Sequence, residues 1–343
     1  MATYADCLAK ITYREIEELL QPVYAQPHNY GVRQVVADQL VDRGHPYGEY
    51  IHASCRASYT MGDEKVKWEQ HAESLLAHHR LEWAWGLGRI VWPKLRYSAG
   101  FPCYGKIDTR VLGRFVDHPA WATYRTLSIE DWYLWTDPSL LTRFVQQKSL
   151  RALESLKGDI PLETVCALAK GPMLNSLTSL EVHGEPIEVI HRLPEFRTAL
   201  PRLYRLFLRS GGTAWTPQHL RALLSLGRLD RLEMLGLLVN PDMDLERFLS
   251  AARGAPFVLY LWFGEKGHLL QRRDGSLHGY FPSWDTGRYS VMSILRNLSP
   301  LTNINLRVGE WTSKTKMRTL MANLPAAVVE RKRPFNPCGT MVF

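Results

Sequence analysis

Paired cysteine is what this 343-residue chain lacks most plainly. It has five cysteines, Cys7, Cys55, Cys103, Cys166 and Cys338, an odd number, widely spaced and without a C-x-x-C. That pattern argues against a disulfide framework or a cysteine zinc site, and it fits a reducing compartment. No apolar run reaches the roughly 18 residues that a membrane helix requires. The opening MATYADCLAK has no apolar segment of the secretory kind. A cytoplasmic protein without membrane insertion is therefore expected. No G-x-S-x-G turn, P-loop or dinucleotide glycine fingerprint occurs. His71, His78 and His79 lack a second ligand pair at zinc spacing and read as solvated helix histidines. Cys166 has no histidine nearby in sequence and reads as a structural thiol. A non-enzyme without cofactor or metal is expected.

What the chain has is charge, apolar content and rhythm. Its hydrophobic content of 45% supports a packed core, and its formal net charge is +8. A basic balance by itself reports solubility and non-specific attraction, so it leaves nucleic acid or an acidic partner open without selecting either.

The rhythm is a recurrence of short apolar strands. Their first apolar positions are Tyr124, Leu150, Leu177, Leu203 and Leu229, at intervals of 26, 27, 26 and 26 residues. Most read L-x-x-L-x-L: Tyr124-Leu127-Ile129, Leu177-Leu180-Val182, Leu203-Leu206-Leu208 and Leu229-Leu232-Met234. This core and period mark leucine-rich repeats. A strand and helix alone cannot bury their apolar face, so such units must stack. Prolines 138, 161, 186 and 217 follow the strands at helix starts, where a missing N–H costs nothing. A sixth strand is expected over Pro256 to Phe263, apolar on both faces. An insertion at 264–289 follows, with an Asp274-Gly275 hairpin signal. The repeat resumes at Leu301-Ile304-Leu306, with a helix over Lys314 to Asn323. The ninth position of the repeats carries no asparagine (Trp132, Gly158, Glu185, Gly211, Leu237), so the resemblance is to longer, helix-backed repeats of ribonuclease-inhibitor type.

Residues 1–90 do not carry the repeat and read as helices. Thr12 and Glu15 have capping-box spacing. A second helix runs from Val32 to Asp42 with Val35, Val36 and Leu40 inward, closed by Gly44 and Pro46. Two more cover Tyr50–Ala57 and Asp63–His79, and Trp83 and Trp85 are large apolar plugs. His45 is a turn residue. The run Ala37-Asp38-Gln39-Leu40-Val41-Asp42-Arg43-Gly44-His45-Pro46-Tyr47-Gly48-Glu49-Tyr50-Ile51 resembles the bacterial repeat-companion domain, a helical module ahead of leucine-rich repeats. Glu73 to His79 and Leu95 to Phe101 fit its continuation. The resemblance implies an N-terminal companion and carries no chemistry.

The expected fold is thus an α/β solenoid, a leucine-rich-repeat horseshoe of about seven parallel strands with outer helices. Residues 1–90 would be a helical cap, 91–330 the repeats with their insertion, and 331–343 a tail. In L-x-x-L-x-L the intervening residues point away from the core. Those positions include Thr126, Ser128, Ala152, Glu154, Ser179, Glu181, Arg205, Phe207, Arg209, Arg231, Glu233, Phe257, Leu259, Leu261 and Arg307. Arginine and aromatic residues are enriched at interface hot spots. The expected partner-binding set is Arg205, Phe207, Arg209, Arg231, Glu181, Glu233, Leu259 and Arg307. The leading reading is a protein-binding scaffold with an unidentified, acidic protein partner. The alternatives are an inhibitor, immunity or GTPase-modulating regulator of one enzyme, and a nucleic-acid binder using Lys266, Arg272, Arg273, Lys314, Lys316 and Arg318.

Overall fold

A computed structural model of the chain describes residues 12–91, 95–129, 138–171, 175–210, 213–226, 229, 231–239, 245–253, 255–263, 268–271, 276–281, 304–308 and 327–331. The chain divides into two compact units: residues 1–179 with 199–202, and residues 180–198 with 203–343. Both alternate strands with helices and pair most strands in parallel, an α/β architecture. Among the described residues no helix is long and apolar enough to cross a membrane.

The first unit opens on helices α1 (Tyr13–Ala25), α2 (Tyr30–Asp42), α3 (Pro46–Tyr59) and α4 (Gly62–His79). The capping box at α1 forms as expected. Glu15 N donates to Thr12 Oγ1 at 3.3 Å, and Thr12 N donates to the Glu15 carboxylate at 2.7 Å. Between α2 and α3 the chain turns within three residues. Gly44 takes φ 71°, where a side chain would be strained. His45 is more than a turn residue: it caps α3, its Nδ1 accepting from Tyr47 N at 3.2 Å. Pro46 occupies the first turn of α3. A Cβ on Gly48 would meet the Ala37 carbonyl oxygen at 2.5 Å, so glycine sets how closely α3 packs on α2.

The inward stripe of α2 is Arg33, Val36, Ala37 and Leu40. Val36 and Leu40 are buried as expected, but Val35 is 56% exposed, and Arg33, at 6%, fills the inward position instead. Its guanidinium donates through Nη1 to Ser98 O at 3.1 Å and Ala99 O at 3.0 Å, and through Nη2 to Pro27 O. The Tyr30 and Phe101 ring centroids lie 5.4 and 5.0 Å from its Cζ. Carbonyls and ring faces thus take the place of a carboxylate.

After α4 come α5 (Gly88–Val91) and the strands β1 (Arg96–Ser98), β2 (Phe101–Ile107), β3 (Thr126–Ile129) and β4 (Ser155–Gly158). The strand expected near Leu95–Tyr97 is β1, but it is antiparallel to β2 and belongs to a hairpin. The hairpin closes through Ala99 and Gly100, with φ of 47° and 86°. Tyr47, fully buried on α3, donates its hydroxyl to Gly100 O at 2.9 Å and accepts from Trp85 Nε1 at 3.3 Å. Trp83 and Trp85 are buried plugs, as expected. From β2 onward the pairing is parallel, β2 with β3 and β3 with β4. Helices α6 (Pro138–Val145) and α7 (Leu162–Leu168) follow β3 and β4, after Asp137 and at Pro161 respectively.

The second unit carries β5 (Ser179–His183, whose first residue closes the other unit), α8 (Pro186–Ala199), β6 (Arg205–Arg209), α9 (Pro217–Ser225), β7 (Met234–Leu238), α10 (Leu245–Ala251) and β8 (Val258–Trp262). β6, β7 and β8 are parallel neighbours. β9 (His268–Gln271) and β10 (Leu277–Phe281) fall in the expected insertion and pair antiparallel; Asp274-Gly275 lies outside the described residues. β9 is antiparallel to β8, so the described strands of this segment extend the sheet edge to edge. β11 (Ile304–Val308) and β12 (Ala327–Arg331) continue in parallel from β10. The expected strand at Ile304 and Leu306 is β11. The helix expected over 314–323 lies outside the described residues.

The register corrects the 26-residue step. Leu127 pairs with Leu156 and Leu206 with Leu235, each 29 positions later, and Leu235 pairs with Leu259, 24 later. At the mouth of three strands, two successive amides share one carbonyl of the preceding strand. Glu154 N and Ser155 N both donate to Arg125 O, Thr178 N and Ser179 N to Glu154 O, and Glu233 N and Met234 N to Tyr204 O, all at 2.8–3.1 Å. The true triplets are Leu153-Leu156-Gly158 and Leu232-Leu235-Leu237, three residues beyond Leu150 and Leu229.

Candidate partner-binding face

Three parallel strands of the second unit place three rows of side chains on the sheet face opposite the leucines. Leu206, Leu208, Leu235, Leu237, Leu259 and Leu261 point into the core, none more than 1% exposed. The alternate positions are Arg205, Phe207 and Arg209 on β6, Met234, Gly236 and Leu238 on β7, and Val258, Tyr260 and Trp262 on β8. Apart from buried Gly236 and Tyr260, these residues are half-buried.

The middle row is built around a glycine. Phe207 pairs with Gly236, and Gly236 with Tyr260. A Cβ on Gly236 would collide with Phe207 Cδ1, so the ring lies across bare backbone. There it meets Tyr260 edge-on, centroids 5.9 Å apart and planes at 78°. The outer rows hold the charges. Arg209 Nη1 lies 3.2 Å from Glu181 Oε1, and its Cζ stands 4.9 Å from the Trp262 ring centroid. Trp262 is two strands away, about 9.6 Å at ordinary strand spacing, within reach of an extended arginine. Arg205 Nη2 lies 3.8 Å from Glu233 Oε2. Two arginines that would repel across one strand face are thereby neutralised within the chain.

Of the expected set, Arg205, Phe207 and Arg209 share this face, and Glu181 and Glu233 are their ion-pair partners. Arg231 and Glu233 are exposed but precede β7, which begins at Met234, so that Leu235 and not Leu232 pairs with Leu206. Leu259 is a correction. It is 1% exposed and core-facing, as are Phe257 and Leu261, because β8 follows the register of Leu235 and not a step from Leu229. Ala152, Ser128 and Ser179, expected outward, are buried as well. Arg307 lies on β11, opposite Tyr280 and Glu330 in register. Lys266, Arg272, Arg273, Lys314, Lys316 and Arg318 lie outside the described residues.

Sequence reasoning missed Met234, Gly236, Leu238, Val258, Tyr260 and Trp262. The signals were present: a glycine inside a strand marks close approach, and Val258-Tyr260-Trp262 alternates with the core leucines at period two.

Among the described residues no group of three His, Cys, Asp or Glu could hold a metal ion. His79 stacks on Trp83 with centroids 4.6 Å apart, and His71 pairs with Glu49 at 3.0 Å. Among the described residues, Cys55, Cys103 and Cys166 are in no disulfide. Burial pushes Cys55 and Cys103 up to about 11, far from thiolate reactivity. No family model matches the chain, and no curated protein matches it.

Proposed function

We propose that the chain is a leucine-rich-repeat protein with an N-terminal repeat-companion module, and that it binds a partner protein through the β6–β8 face. The observation that carries this reading is the composition of that face. A solvated sheet face alternates polar residues with its core. Here Phe207, Met234, Leu238, Val258 and Trp262 are half-exposed on one surface. Contiguous apolar surface of this kind marks interaction sites. Arginines and aromatics are the residues that anchor interfaces. Exposed Arg231 has no acidic partner among the described residues, which favours a partner with an apolar centre and a carboxylate rim.

The test is affinity capture with the wild-type chain and with Trp262→Ala/Arg231→Glu. The expected result is one stoichiometric partner, held by the wild type and by Trp68→Leu in the other unit, and lost from the double variant with its circular dichroism unchanged. Equal capture by the double variant refutes this face. Reversing Arg205 or Arg209 is no clean test, because Glu at 205 or 209 would face Glu233 or Glu181.

A further inference from the structure

In the first unit, three polar side chains converge over a bare glycine. Gly86 follows the buried Trp85 plug at φ 81° and is itself exposed. The place a Cβ would take there is open. His118 Nε2 lies 3.6 Å from it, Tyr13 Oη 3.7 Å and Phe115 Cε1 3.9 Å. Tyr13 and Glu17 share one face of α1, at i and i+4. Helix α1 packs on the 3-10 turn Pro119–Thr123, which His118 caps. His118 Nδ1 accepts from Ala120 N at 3.2 Å, so the neutral ring carries its proton on Nε2. Burial lowers this imidazole against the opposing field of Glu17, which favours the neutral form. Burial and the Glu17 carboxylate raise Tyr13, so its hydroxyl keeps its proton. Glu17 Oε1 lies 3.9 Å from His118 Nε2, beyond hydrogen-bond length. Tyr13 Oη, the Glu17 carboxylate and His118 Nε2 have no hydrogen-bond partner among the described residues. Arg114 and Asp117, beside Phe115 and His118 in the chain, are exposed and pair with neither Glu17 nor His118. Two proton donors and one carboxylate thus surround one open point, with the half-buried Phe115 ring beside it.

We infer that this point binds the amide edge of a small aromatic carboxamide. Its carbonyl oxygen takes the protons of His118 Nε2 and Tyr13 Oη, its N–H meets Glu17, and its ring lies against Phe115. The spacing fits that edge. Standard bond lengths put an amide's oxygen and nitrogen about 2.2 Å apart. One edge therefore bridges a donor and an acceptor that stand too far apart to bond each other. A carboxylate ligand would set a second anion against Glu17. An amidine would match Glu17 but oppose its other N–H to the proton on His118 Nε2. The inference does not rest on the β6–β8 face, which lies in the other unit.

The experiment is a chemical-shift titration of the isotope-labelled full chain, read at the Gly86 amide, with benzamide, acetophenone, benzamidine and benzoate. Benzamide should saturate below about 10 mM, near the weak limit for a ligand of its size. Acetophenone keeps the ring and carbonyl but has no N–H. It should bind at least about tenfold more weakly, the loss expected for a hydrogen bond to a charged group. Benzamidine and benzoate should also bind more weakly than benzamide. Glu17→Leu should bring benzamide down to the level of acetophenone and leave acetophenone unchanged. His118→Asn, which keeps a cap on Ala120 N, should weaken both ligands by about threefold or more. Tyr13→Phe should do the same, and it changes only the hydroxyl of a 49% exposed residue, so it tests the site even where another variant fails to fold. No saturation by benzamide at that concentration, acetophenone, benzamidine or benzoate binding as tightly as benzamide, or undiminished benzamide binding by folded Glu17→Leu or by Tyr13→Phe would each overturn the inference.

Discussion

Gly236 is a glycine because the Phe207 ring of the neighbouring strand lies across it. A methyl group there has no space unless the ring moves, and the ring is held on its far side by Tyr260 at 5.9 Å. Gly236→Ala should therefore destabilise the chain by about 1–3 kcal/mol through overpacking. Combining it with Phe207→Ala should cost less than the sum of the two single variants, since the clash disappears with the ring. Urea unfolding of the four-member cycle reads the coupling. Additive values would separate the two residues.

Leu206 is fully buried at the centre of β6, and Leu206→Ala should cost about 2–5 kcal/mol. Leu259→Ala should cost as much, since Leu259 is a core residue. Val35→Ala should stay within about 0.5 kcal/mol because its side chain is 56% exposed. Thermal and denaturant unfolding rank the three. A cheap Leu259→Ala would place that side chain outside the core after all.

Two His-Pro steps are built alike and make the first unit sensitive to acid. His45 Nδ1 accepts from Tyr47 N, and His118 Nδ1 accepts from Ala120 N, both at 3.2 Å. Burial depresses both imidazoles, against the opposing fields of Glu82 for His45 and of Glu17 for His118; His79 lowers His45 further. A folded pKa below the unfolded one means that the unfolded chain binds more protons. The caps' contribution is thus complete above the ordinary imidazole value of about 6.5 and is lost as pH falls through the depressed folded values. Unfolding free energy should drop between neutral pH and pH about 5. His45→Asn/His118→Asn should flatten that slope, since asparagine caps without titrating. An unaltered slope would assign the acid sensitivity to other groups.

Arg33 couples α2 to the β1–β2 hairpin through hydrogen bonds to Ser98 O and Ala99 O. Lysine cannot reproduce the fork or lie flat between Tyr30 and Phe101. Arg33→Lys should cost about 1.5–3 kcal/mol, the value of a hydrogen bond to a charged group. Protection of the hairpin amides in hydrogen exchange should fall with it. Unchanged protection would mean that the hairpin is held by Tyr47 alone.

Local signals in the chain are short-ranged, and they determined the helices. Thr12 with Glu15, Gly44, and Pro46 after His45 each act within four residues, so helix ends can be read from neighbouring letters. The apolar repeat likewise announced parallel strands alternating with helices, because burying a strand–helix unit requires a neighbour. Tertiary structure decided the register. Leu232 and not Leu229 leads its strand because Leu206 pairs with Leu235, 29 residues away. No residue type encodes that pairing, and a shift by three residues, being odd, exchanges the two faces of a strand. This is why Leu259 reads as surface in a constant step and sits in the core. It is also why Tyr260 and Trp262 emerge beside Phe207. Arg33 illustrates the same limit: its inward place is stable only because carbonyls from the hairpin, some 65 residues later, meet its guanidinium.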